Sequence, residues 1–278
     1  MARRDILDGA KIREIKKKQK RILHAKIYLA IFLLVVLLVG LIFLSRSPKI
    51  LIDQVNISGN RVITNEEIMQ LVDGALDGHY LFVIPKHDVF IFPKRRIEHS
   101  ILETFKRISN VRIKRDNFKE ITVTVTERDG KYLWCDSDET CYFADDTGFI
   151  FDDAPTFSGS AYLKFYGVFL EPDEKLGQQI LPVEEFQRLI KLYEQVSTVL
   201  SPIKLTALSI EDNGDYKFSL EGTEGKLIFK KENDFETILG NLDSAASGEP
   251  LKTDLAQKLE SLLYIDLRFD NKVYFKFN

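Results

Sequence analysis

The sequence predicts an α+β protein. A single transmembrane helix precedes a β-α-α-β-β module, and a mostly antiparallel β-rich domain with packed helices follows. Three observations carry this. A charge-free apolar run follows a basic start. A capping-box sequence and a second helical periodicity then stand between strand candidates. Beyond Asp129, short apolar runs alternate with turn residues, the pattern of a strand-rich domain. The length of 278 residues allows one to two domains, and 45% hydrophobic with 29% charged content is that of folded protein. Two cysteines exclude a disulfide-dense scaffold and any four-cysteine zinc site.

The formal net charge of -3 conceals a segregation. Residues 1–26 hold ten Lys/Arg against three acidic residues, a net of +7, and the remainder carries -10. An acidic body argues against nucleic-acid binding. The basic segment directly abuts the apolar run, so it reads as a topology determinant with anionic-lipid contact. Ile27 to Ser45 contains no charge, and its 18 residues to Leu44 would form a helix about 27 Å long, close to the ~30 Å hydrocarbon core. A cleaved signal peptide is the competitor, but Ser45-Arg46-Ser47 followed by Pro48 is a poor cleavage site. The flanking charges put the N-terminus in the cytoplasm. The expected divisions are therefore a tail at 1–26, a span at 27–45, and external domains at 50–128 and 129–278.

In the first external block, Ile50 to Ile57 reads as a strand with Val55 and Ile57 on one face. Thr64-Asn65-Glu66-Glu67 fits a capping box opening a short helix. Ile97, Ile101, Leu102 and Phe105 mark a second helix over 94–105. Val111 to Arg115 and the alternating Ile121 to Thr126 close the block as strands. In the second block, strands are expected at 132–135, 141–144, 149–151 and 162–170, and a helix follows Pro182. A meander is expected over 205–229, and short helices at 235–242 and 255–263. A terminal hairpin of 264–269 and 272–277 turns at Asp270-Asn271.

Cys135 and Cys141 both lie in the external part on adjacent strand candidates, and an oxidising exterior permits a disulfide between them. A pair of buried thiols is the alternative. No phosphate loop, nucleophile elbow, His-Glu-x-x-His or EF-hand order occurs. His24, His79, His87 and His99 lack ligand spacing, so no metal, cofactor or enzymatic activity is expected.

Lys272 to Asn278 ends the sequence, so its outer side is expected to be a sheet edge. Val273, Phe275 and Phe277 should point to the core, with Tyr274 and Lys276 facing away. An open edge is a template for an added partner strand; a solvated or helix-covered edge is the alternative.

The whole order resembles the bacterial cell-division family FtsQ/DivIB. Val55-Asn56-Ile57-Ser58-Gly59-Asn60, then Thr64 to Ile68, looks like the opening of a POTRA (polypeptide-transport-associated) domain. Gly78-His79-Tyr80-Leu81-Phe82 is similar to its "G…LF" step. Ile121 to Arg128 resembles its closing strand and "V-x-E-R" exit. Asp146 to Phe151 and Tyr264 to Val273 resemble the "D-x-x-G" hairpin and "iDLRf" terminus of the β domain. Val83 to Pro93 departs from the pattern, being unusually apolar and proline-bearing. The resemblance implies a non-enzymatic septal scaffold that binds FtsB/DivIC-like and FtsL-like partners outside the membrane, and other division proteins through the POTRA domain. It also implies a partner site at the C-terminal edge. By position this falls on Phe269, Asn271, Lys272 and Phe277, to which the edge argument adds Val273, Tyr274 and Phe275. The rivals are a POTRA-bearing secretion or envelope-assembly factor and an anchored cell-wall hydrolase. The residues after 128, which include helices, leave no room for a transmembrane barrel.

Overall fold

A computed structural model describes residues 5–136, 140–157, 160–167, 174–269 and 272–278. Helix α1 runs without a break from Asp5 to Ser45, so the basic segment is helical from Asp5 onward. Its Lys, Arg, Gln and Ile residues are adequate helix formers, and no proline interrupts them. Pro48 follows the end, where it cannot continue the helix. Among the described residues this is the one helix long and apolar enough to cross a membrane. The chain divides into two compact units, residues 1–103 with 110–126, and residues 104–109 with 127–278.

In the first unit, β1 (Gln54–Ser58) leads to α2 (Asn65–Leu76). The Thr64 hydroxyl accepts from the Glu67 N–H at 3.3 Å, and the Glu67 carboxylate accepts from the Thr64 N–H at 2.9 Å. The Thr64 N–H first, then its hydroxyl, hold the Glu67 carboxyl below the usual range. Two short strands, β2 (His79–Tyr80) and β3 (Ile84–Pro85), pair before α3 (Lys94–Thr104). Strands β4 (Ile108–Arg115) and β5 (Glu120–Glu127) complete a sheet of order β1-β5-β4, with β1 parallel to β5. Ile68 and Val72 of α2, Ile97 and Ile101 of α3, and Ile121 and Val123 of β5 are all buried. Gly59 turns the chain at φ 90°, and a Cβ there would collide with the Val125 carbonyl, so this position requires glycine.

The first strand is shorter than its sequence suggests. Residues 50–52 bond to a loop instead: Ile52 N–H donates to the His87 carbonyl at 2.8 Å, and Val89 N–H to the Ile50 carbonyl at 3.0 Å.

The second unit opens with β6 (Tyr132–Cys135), β7 (Cys141–Ala144), β8 (Ile150–Asp153) and β9 (Leu163–Tyr166). Positions 168–170 of the expected 162–170 strand lie outside the described residues. Then come α4 (Val183–Val199), β10 (Leu205–Ile210), β11 (Asp215–Leu220), β12 (Lys226–Lys230), α5 (Phe235–Ser247) and α6 (Leu251–Lys258). A single 3-10 turn at Leu259–Ser261 leads into β13 (Leu262–Phe269) and β14 (Lys272–Phe277). All nine strands form one sheet of order β14-β13-β12-β11-β10-β9-β6-β7-β8. It is mostly antiparallel, but β6–β9, β9–β10 and β12–β13 pair in parallel.

Phe186, Leu189, Leu192 and Val196 form the buried stripe of α4 at helical spacing. They join Ile238 and Leu242 of α5, Leu251 and Leu255 of α6, and Phe218, Leu227, Phe229 and Ile265 of the sheet. The helix expected at 255–263 in fact starts at Leu251 and stops at Lys258. Leu251 and Leu255 are its inward pair, and Leu262 is already a buried strand residue.

Candidate partner-binding edge

Strand β14 occupies one end of the nine-stranded sheet. It pairs antiparallel with β13, Ile265 opposite Phe275 and Asp266 opposite Tyr274. Apolar residues at every second position send Val273, Phe275 and Phe277 against the core. Tyr274 faces away, 45% exposed, and its ring meets the 49% exposed ring of Phe269 edge-on at 5.0 Å. Lys272 and Lys276 are exposed beside them. Asn271 lies outside the described residues.

The direction of the backbone groups follows from one bond. Asn278 N–H donates to the Ser261 carbonyl at 2.9 Å, just before β13, so position 278 faces the β13 side; the two bulges of this ladder, between Leu262 and Tyr264 and between Asp266 and Phe269, each add a residue to β13 and none to β14. In an antiparallel ladder the hydrogen-bonding side alternates residue by residue. The N–H and C=O groups of 276, 274 and 272 then face β13, and those of 277, 275 and 273 face outward. Among the described residues, no strand pairs with that outer side. The opposite end differs: Gly177 N–H donates to the Ile150 carbonyl at 2.8 Å, and Ile150 N–H to the Gln178 carbonyl at 2.9 Å, so residues 177–178 already bond to β8.

An ionic clamp fixes the inner strand of the hairpin. Asp266 and Arg268 stand two apart and so share a face of β13. Arg268 Nη2 donates to Asp266 Oδ2 at 2.6 Å, its Nε to Asp266 Oδ1 at 2.9 Å, and its Nη1 to Asp215 Oδ2 at 2.9 Å. Both carboxylates are more than nine-tenths buried. Burial opposes the ionisation of Asp266 most strongly, but the hydrogen bonds from Arg268 outweigh it and hold the carboxyl below its usual range.

A second clamp joins two sequence motifs. Arg128 of the "V-x-E-R" exit donates to Asp145, the residue immediately before the hairpin motif at Asp146 to Phe151. The same guanidinium lies 4.1 Å over the Phe149 ring. Asp145 also accepts from the Thr147 N–H at 2.8 Å and the Phe149 N–H at 3.1 Å. Against its burial, these donors keep Asp145 below the usual carboxylate range. Both clamps escaped the sequence reading, although the two-residue spacing of Asp266 and Arg268 on one strand face was a usable signal.

Cys135 and Cys141 oppose each other in the β6–β7 register and are joined by a disulfide, with Cα atoms 4.1 Å apart. Asp136 N–H donates to the Thr140 carbonyl at 3.0 Å, which makes 135/141 the non-hydrogen-bonded pair, where opposed Cα atoms come closest. Among the described residues, no group of three or more His, Cys, Asp or Glu side chains is arranged to hold a metal.

Residues 51–128 match the family model of the POTRA domain, FtsQ-type. No curated protein matches the chain significantly.

Proposed function

We propose, from the FtsQ-type POTRA domain at 51–128, that the protein belongs with the FtsQ/DivIB family and is a non-enzymatic, single-pass scaffold of bacterial septum assembly. The observation that carries the proposal is the FtsQ-type domain at 51–128 immediately after one candidate span. The basic residues before the apolar run put the N-terminus in the cytoplasm and residues 46–278 outside. Protease added to spheroplasts should therefore digest that part; its protection would refute the orientation.

The binding function is assigned to the β14 edge. An extended segment of an FtsB/DivIC-like protein adds as the next strand, with an FtsL-like protein in the same assembly. The outward groups of 273, 275 and 277 would supply the ladder. Tyr274 and Phe269 offer an aromatic surface to the incoming side chains, and Lys272 and Lys276 favour acidic ones. The POTRA domain is left for other division proteins. A fluorescent fusion of the full chain should gather at midcell in dividing cells. A uniform membrane signal in cells that divide normally would contradict the septal assignment.

A further inference from the structure

The segment from β2 into the first turn of α3 has a composition that binding at the β14 edge does not explain. Residues 79–96 contain Lys86, Lys94, Arg95 and Arg96 against the single acid Asp88, a net of +3, whereas the chain beyond residue 26 carries -10. The same stretch presents large apolar side chains to solvent: Leu81 is 85% exposed, Phe82 97% and Phe90 54%. Leu81 and Phe82 also hold positive φ values of 47° and 62°, a left-handed conformation that bulky side chains rarely adopt. The protein thus strains its backbone to turn two large apolar groups outward.

The loop is tied to the end of α1. Ser45 Oγ donates to Asp88 Oδ2 at 2.8 Å, and Arg46 Nε to the Val83 carbonyl at 3.2 Å. Phe82 is therefore one residue from a direct contact with the residue that follows the apolar helix. Phe90 carries the Arg115 guanidinium 4.9 Å over its ring and packs on the exposed Phe118 at 5.9 Å. The polar interfacial layer on each side of a bilayer is roughly 5–8 Å thick. Groups this near the helix end stand at headgroup depth, where aromatic residues beside basic ones are favoured.

We propose that this loop docks on the surface of the bilayer that α1 spans. Leu81 and Phe82 enter the boundary between headgroups and acyl chains, and Arg95 and Arg96 face anionic phospholipid. The inference rests on α1 as a membrane span, so the test separates the two. The full chain is reconstituted in vesicles of phosphatidylcholine and phosphatidylglycerol, with or without bromine on the upper acyl chain. Indole emission is then compared for Phe82→Trp, Leu34→Trp in the apolar part of α1, and Val62→Trp beyond β1. The native Trp134 is buried and gives a constant background. Position 82 is almost fully exposed, so the indole leaves packing intact. Bromine should lower the added emission about twofold at positions 34 and 82 and leave position 62 unchanged. Quenching at 34 without quenching at 82 would overturn the docking while keeping the span. No quenching at 34 would overturn the span and the docking with it. An indole at 82 that bromine leaves untouched, but that an added partner ectodomain shields from aqueous iodide, would make the loop a protein site and overturn the proposal.

Discussion

Val273→Pro should weaken binding of the FtsB/DivIC-like partner about tenfold while the protein stays folded. The N–H at 273 faces outward, so proline removes a donor from the augmenting ladder and none from the pairing with β13; proline is tolerated in edge strands where the missing donor faces solvent. One lost ladder bond is worth about 1 kcal/mol net, and somewhat more when it leaves a buried partner carbonyl unpaired. Tyr274→Pro removes an inward donor instead and should destabilise the hairpin, which circular dichroism and thermal melting would report. Deleting 272–278 removes every outward group and should lower affinity on the order of 100-fold or more. Unchanged affinity in the folded Val273→Pro and deletion variants, measured by titration of the full chain in detergent, would place the partner elsewhere.

Arg268→Ala should cost about 3–4 kcal/mol, because it strands two buried carboxylates, Asp215 and Asp266, without their shared cation. In a unit of this size that lowers the melting temperature by on the order of 10 °C. The pH dependence gives an independent check. Asp266 is depressed in the folded protein, so its contribution is fully present above the unfolded carboxylate value of about 4 and is lost as pH falls through the lower folded value. In the variant, burial acts on Asp266 without the arginine, and its pKa should rise. The gap in melting temperature between wild type and Arg268→Ala should therefore narrow as pH falls from 7 to about 3. A gap that stays constant over this range would show that the ionised carboxylates are not what Arg268 stabilises.

The partner edge and the ionic clamp share one hairpin. Arg268 anchors β13 to β11 across the intervening β12, and β14 lies on the other side of β13. A loosened clamp should therefore reach the partner edge through the strand that supports it.

What the sequence made legible was local. The capping box at Thr64 and Glu67 states its own hydrogen bonds. The alternation of Val273, Phe275 and Phe277 with Tyr274 and Lys276 states which face of β14 is buried, since the period of a strand is two. The pairing of strands distant in sequence was not legible. Strand β9 sits between β6 and β10, parallel to both, because the connections over the sheet bring it there, and no local pattern encodes that. The Arg128–Asp145 clamp was likewise hidden, because nothing in either local pattern pairs residues 17 positions apart. The stretch Val83 to Pro93 stood out as apolar and proline-bearing, but the bonds that tie it to Ser45 and Arg46 at the end of α1 join residues some forty positions apart.

Strand addition at β14 can be read by amide hydrogen exchange of the full chain with and without the ectodomain of the FtsB/DivIC-like protein of the same cell. Strand addition at β14 predicts that the amides of Val273, Phe275 and Phe277, which face outward, gain protection. The amides of Tyr274 and Lys276, already bonded to β13, should change little. Protection appearing at the β8 end or in the POTRA domain, with 273, 275 and 277 still exchanging as in the free protein, would rule out partner addition at β14.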